Sequence, residues 1–93
     1  MLSGIPIKLD KIAGLNLDKQ ILRDAIIAEL DAINLYEQLA ATTQNEALKK
    51  VLLEVAREEK THVGEFQALL LKLDKEQVEE LEKGRKEVED LTG

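Results

Sequence analysis

The sequence predicts an all-α protein, and three observations carry that prediction. Its 93 residues are 34% charged and 2% aromatic with one proline, so the chain is built mainly from residues that cost least in a helix. Apolar residues recur at spacings of three and four along two long stretches. No alternating run enriched in β-branched residues marks a strand.

Residues 1–15 hold Gly4, Pro6 and Gly14 without a sustained period and read as an N-terminal arm, ahead of a helical domain over residues 16–93. Asn16 or Asp18 is placed to cap a first helix over residues 17–43, and the polar cluster Thr42 to Asn45 ends it. A second helix is expected over residues 45–73. Asp74 with Gln77 resembles a capping box that opens a third, shorter helix reaching about Leu91. Val78, Leu81, Val88 and Leu91 make its apolar stripe, and Gly84 weakens its middle. Two long helices joined by a short turn form an antiparallel hairpin. A lone hairpin leaves much apolar surface uncovered, so two copies are expected to pair into a four-helix bundle.

Composition excludes several functions. The absence of cysteine rules out disulfides and thiolate metal sites. A formal charge of −6 opposes nucleic acid and suits the attraction of cations. No apolar run approaches the ~20 residues of a spanning helix. The opening MLSGIPIKLDKIAG lacks a secretory signal's long apolar stretch, which predicts a cytoplasmic protein.

The first helix carries a seam of Leu22, Ile26, Glu29, Ile33, Tyr36 and Ala40, at spacings of 4, 3, 4, 3 and 4. The second carries Leu48, Leu52, Val55, Glu59, His62, Phe66 and Leu69 at the same alternation. Both seams are apolar or aromatic except at Glu29, Glu59 and His62. Glu29 and Glu59 each stand fifteen residues from Gln44, where the turn is centred, so an antiparallel hairpin sets them at one level. An ionised carboxylate buried without a partner costs several kcal/mol, and a metal ion supplies the partner. One carboxylate from one helix and Glu-x-x-His from another is half the ligand set of a di-iron carboxylate bundle. A symmetric dimer would gather two copies of Glu29, Glu59 and His62 around two irons on its two-fold axis. Tyr36, two turns from Glu29, is the candidate to face a metal or hydrogen-bond a ligand. Asp31, Glu58 and Glu65 flank the site and are candidates to guide cations inward, with surface solvation as their plainer role. The structural alternative puts Glu29 and Glu59 at a wet bundle edge, paired with Lys60 or Arg57.

The stretches AIIAELDAINLYEQLA and VAREEKTHVGEFQALL resemble the ferritin-like domains of the rubrerythrin group. Within that group they are most similar to the encapsulated ferritins, the cargo of encapsulin nanocompartments. In some hyperthermophilic archaea such a domain is fused to the front of the shell protein. The ending EVEDLTG falls where a fused chain would run into its linker, so the 93 residues read either as a domain excised from such a fusion or as a full protein. The resemblance spans roughly residues 20–93. It implies a two-helix protomer with a short terminal helix, a homodimer completing a di-iron ferroxidase centre, and a ring of five dimers (a decamer). It further implies oxidation of Fe(II) by dioxygen and delivery of iron to the interior of an encapsulin shell for storage. Matched by motif, the ligands are Glu29, Glu59 and His62, with Tyr36 near the metals as a further catalytic residue. At the family's paired acidic entry positions this chain has Ala28 and Asp31, a reduced site, and Leu35 replaces a tryptophan near the metals. Two other readings remain open: a rubrerythrin-like peroxide reductase served by a separate electron donor, and a non-enzymatic helical assembly or cargo-docking module whose polar seam residues set register.

Overall fold

A computed structural model describes residues 14–93, and within them the chain forms three helices and no strand. Helix α1 spans Leu15–Thr42, α2 spans Glu46–Leu73 and α3 spans Lys75–Thr92. The expected arm lies, up to residue 13, outside the described residues. Gly14 introduces α1 at φ 61°, a left-handed value that glycine adopts without cost. Its carbonyl already accepts the Asp18 N–H at 3.2 Å, so neither Asn16 nor Asp18 is the cap. Both lie inside the helix, where the charge of Asp18 suits the first turn.

The link from α1 to α2 is three residues, Thr43 to Asn45. Thr43 Oγ1 accepts the Asn45 N–H at 3.1 Å, and Asn45 Oδ1 caps α2 by accepting the Leu48 N–H at 3.0 Å. So short a link folds α2 back along α1, and these two helices share most of the tertiary contact.

The α1 seam lies where its spacing predicts: Ile33 and Ala40 are buried, and Leu22, Ile26, Glu29 and Tyr36 are half-buried. The α2 seam is rotated from expectation. Leu48 and Leu69 remain 47% and 52% exposed, while Ala56 and Leu70 are buried. The stripe facing α1 is therefore Leu52, Ala56, Glu59, Val63, Phe66, Leu70 and Leu73. The reason is that the apolar arc of α2 is wider than one seam. Leu48, Val55, His62 and Leu69 recur every seventh residue as a second stripe on its flank. Helix α1 has a matching second stripe of Ile21, Ala25, Ala28, Ala32, Leu35 and Leu39, whose three large members are all exposed. The two flanks open on the same side, since Ile21 and Leu69 line one shallow groove.

At the far end of the hairpin α3 turns away. The molecule measures 46 × 44 × 21 Å, with a radius of gyration of 16.6 Å. A compact domain of this length would have about 12 Å. Among the described residues, no helix is long and apolar enough to cross a membrane.

Candidate metal centre

Glu29 enters the hairpin between Ile26 and Ile33 on α1, and Glu59 enters between Ala56 and Val63 on α2. Both sit in unbroken helix, so the backbone fixes their level and leaves only the side chains to adjust. His62 follows Glu59 by three residues and reaches back across the seam. Its Nδ1 stands 3.2 Å from Glu29 Oε2 and 3.5 Å from Glu59 Oε2. One ligand atom from each of the three residues lies within 4.8 Å of the others.

The charges are met in an unusual way. The Glu29 and Glu59 side chains keep only 20% and 18% of their surface exposed. Among the described residues no lysine or arginine pairs with either. Lys60 instead reaches Glu37 on α1 at 3.3 Å, and Arg57 is taken up by Glu54. Their mutual hydrogen bonds lower the Glu54 pKa and raise that of Arg57, which ties Arg57 to its own turn. The wet-edge alternative needed Lys60 or Arg57 at this pair, and both are committed elsewhere. The carboxylates face an imidazole instead. Two hard oxygen donors and one nitrogen donor, close enough to share an ion, suit divalent iron or manganese.

The trio is closed on one side and open on the other. Within the hairpin the neighbouring seam positions are withdrawn from solvent, Ile33 buried and Val63 and Phe66 half-buried. His62, 44% exposed, stands on the flank stripe among Leu48, Val55 and Leu69. Opposite, at the level of Glu29, the α1 flank is small (Ala25, Ala28, Ala32), with bulky Ile21, Leu35 and Leu39 towards the ends.

A protein-family model for rubrerythrin matches residues 20–92. The chain belongs to the rubrerythrin family. It is 68% identical over 74 residues to a ferritin-like–encapsulin shell fusion protein of Pyrococcus furiosus, covering 80% of this chain and 21% of that one. It is 46% identical over 56 residues to the encapsulin nanocompartment cargo protein EncC of Myxococcus xanthus, covering 60% of this chain and 43% of the relative. This rubrerythrin-family chain thus spans less than half the length of either curated relative. In three dimensions it is similar to the crystal structure of the encapsulated ferritin domain from P. furiosus, with a TM-score of 0.86, 56% identity and 97% of each chain covered. The fold is accordingly a ferritin-like helical one.

Of the residues singled out in the sequence, the rubrerythrin-family fold brings Glu29, Glu59 and His62 together. Tyr36 is half-buried on the same α1 seam, about 10 Å along the axis from Glu29. Asp31 and Glu58 fall outside the trio. Asp31 lies about 200° around α1 from Glu29, and Glu58, which is exposed, lies about 100° around α2 from Glu59. The sequence spacing sets Glu59 and His62 on one seam, whereas in the fold they occupy adjacent stripes. The signal was present in the second seven-residue recurrence, Leu48, Val55 and Leu69.

Proposed function

We propose that this chain is a ferroxidase, oxidising Fe(II) with dioxygen at a di-iron centre completed by a second copy of itself. The observation that carries the proposal is the convergence on His62 Nδ1 of two largely buried carboxylates that no lysine or arginine matches among the described residues. Fe(II) is the substrate here, and it fits the donor set. Glu29 and Glu59 supply negative oxygen ligands that favour the ferric product over the ferrous substrate, while His62 supplies a nitrogen. Each iron gives up one electron and dioxygen accepts them; the protein's part is to hold the metals and exclude other paths.

One hairpin offers two carboxylates and one imidazole, which is half of what two irons need. The open side of the trio and the exposed apolar flanks coincide, so the surface that wants covering is also the surface that wants more ligands. Two copies packed flank to flank would bury Ile21, Leu35, Leu39, Leu48 and Leu69 and oppose the two trios. The small residues Ala25, Ala28 and Ala32 leave room there for the partner's α2. Tyr36 lies further along the seam, where its hydroxyl is available to the ligands' surroundings, and Asp31 and Glu58 supply negative potential outside.

An open bundle of this size encloses no volume for mineral, so storage calls for a surrounding shell. The names of the two relatives, one a shell fusion and one a cargo protein, support an encapsulin shell as the partner and its interior as the location. A ring of five dimers is the assembly implied by likeness to encapsulated ferritins.

The deciding experiment combines anaerobic Fe(II) titration with aerobic stopped-flow absorbance of Fe(III), on wild type and Glu29→Ala. Saturation near one iron per chain, with fast oxidation lost in the variant, supports the reading. Oxidation no faster than in buffer, unchanged by the substitution, would sink it and leave the polar seam a register device.

A further inference from the structure

The joint between α2 and α3 is a single residue. Asp74 is at once the C-cap of α2, its N–H donating to Leu70 O at 2.9 Å, and the N-cap of α3. Its φ of −131° and ψ of 89° alone turn the chain from one helix axis to the next. With no linker to absorb a change, a small rotation at Asp74 becomes a large displacement at the far end of α3. That helix is about 27 Å long, so a tilt of about 20° moves its tip about 9 Å.

Among the described residues, little else holds α3 in place. None of its residues is buried, and only Gln77 is half-buried. Its ion pairs Glu80–Lys83, Glu82–Arg85 and Arg85–Glu89 are all internal and stiffen the helix without attaching it. The space beneath its first turns is not filled. A groove of about 330 Å³ opens between Ile26 and Ile27 of α1, Leu70 and Leu71 of α2, and Leu81 of α3. Packing that leaves such a gap tolerates a range of angles, because close contact on both sides is what fixes an interface.

What does span the joint is Asp74, the one buried charged side chain among the described residues. Its Oδ1 accepts the Gln77 N–H at 3.0 Å, and its Oδ2 accepts from Arg23 Nη2 on α1 at 2.9 Å. One carboxylate therefore binds the start of α3 with one oxygen and the hairpin with the other. Lys19, one turn earlier on α1, adds its positive field.

We propose that Arg23 and Asp74 form a charge latch that sets the angle at which α3 leaves the hairpin, and that α3 is a rigid lever that swings when either charge is removed. The latch fixes direction, while the cap fixes helicity, and the two roles separate by substitution. Asp74→Asn keeps an N-capping acceptor and loses the charge; Arg23→Met keeps the apolar stem and touches neither cap.

The absence of cysteine makes the test direct. Gln38→Cys on α1 and Lys86→Cys on α3, both exposed, are spin-labelled in the full chain. The labelled chain is diluted into excess unlabelled protein, so that pulsed dipolar spectroscopy reads distances within one copy. A single narrow distance is expected with the latch intact. Arg23→Met and Asp74→Asn should each at least double the width of that distribution or move its centre by several ångström, with far-UV helicity and iron binding retained. A distribution unchanged in Arg23→Met would overturn the latch, whatever Asp74→Asn does, and would assign the angle to Leu81 and its groove.

Discussion

The elbow and the middle of the hairpin each withdraw carboxylates from water, and they differ in what meets the charge. At the elbow Asp74, 8% exposed, receives a guanidinium on one oxygen and a backbone N–H on the other. In the hairpin Glu29 and Glu59 find, among the described residues, only the ring nitrogen of His62. A carboxylate that serves the fold arrives with its counter-charge; one that meets no lysine or arginine among the described residues supports the proposed metal site. That contrast is stronger support for the proposed metal centre than the identity of the residues, because glutamate and a histidine three apart occur in many helices by chance.

The largest effect should follow from breaking the unmatched region. Glu59→Ala is expected to lower Fe(II) oxidation more than about 100-fold, since even changes around a ligand cost about 10–100-fold. Its metal-free melting temperature should be no lower than wild type, because the residue removed was a charge poorly compensated in the apo protein. Asp74→Ala should do the reverse, lowering the melting temperature by ~4–8 °C through loss of a cap while leaving oxidation intact. Circular-dichroism melts and stopped-flow absorbance on the two variants test both halves. Should Glu59→Ala melt well below wild type, the seam carboxylates would belong with Asp74 as part of the fold.

A smaller effect is expected at the proposed dimer face of the hairpin. Ala28→Leu adds bulk to the small stretch of the α1 flank without touching a ligand. Overpacking a fitted interface costs about 1–3 kcal/mol, so dimer affinity should fall roughly 5–150-fold. Iron binding should then become concentration-dependent, while far-UV helicity stays unchanged. Sedimentation velocity across a dilution series reads the affinity. Full oxidation by dilute, monomeric Ala28→Leu would show that one hairpin suffices, against the shared centre. Tyr36→Phe belongs below this: about one iron per chain still bound, and a rate reduced less than tenfold in the same stopped-flow assay.

Much of this is legible in the sequence because helical periodicity is a strong signal. The α1 seam, the hairpin and the common level of Glu29 and Glu59 all follow from 3.6 residues per turn and a three-residue link. The α2 seam is less legible. Its apolar arc covers two adjacent stripes, and nothing local says whether Leu48 or Ala56 faces α1; the partner surface decides that, and Ala56 with Leu70 wins inside the hairpin. The α1 cap is not legible in the sequence because Asn16 and Asp18 are both good cap residues, whereas the left-handed φ of Gly14 starts the helix earlier. Arg23 and Asp74 were out of reach for a different reason. They lie 51 residues apart, and no short-range pattern reports an ion pair made by the return of the chain. Asp74 was visible as a cap, and only the fold reveals its second oxygen.

The smallest effect at neutral pH, and the sharpest test of the comparison, comes from titrating the elbow. The Asp74 carboxyl is held below its ordinary pKa of 3.8, first by the Gln77 N–H and then by the hydrogen bond and charges of Arg23 and Lys19. A group more acidic in the folded chain contributes stability above its unfolded pKa, and that contribution is lost as pH falls through the folded one. The elbow should therefore hold from neutral pH down to about 4 and weaken only in stronger acid. Asp74→Asn cannot titrate there. At neutral pH it should oxidise iron as wild type does and melt somewhat lower. Melts of the metal-free proteins at successively lower pH should show the gap between them constant above about pH 4 and closing below it. A gap that stays open in strong acid would mean that Asp74 acts by shape and hydrogen bonding, not charge. The two regions would then differ in packing alone, and the missing cation beside Glu29 and Glu59 would lose its control.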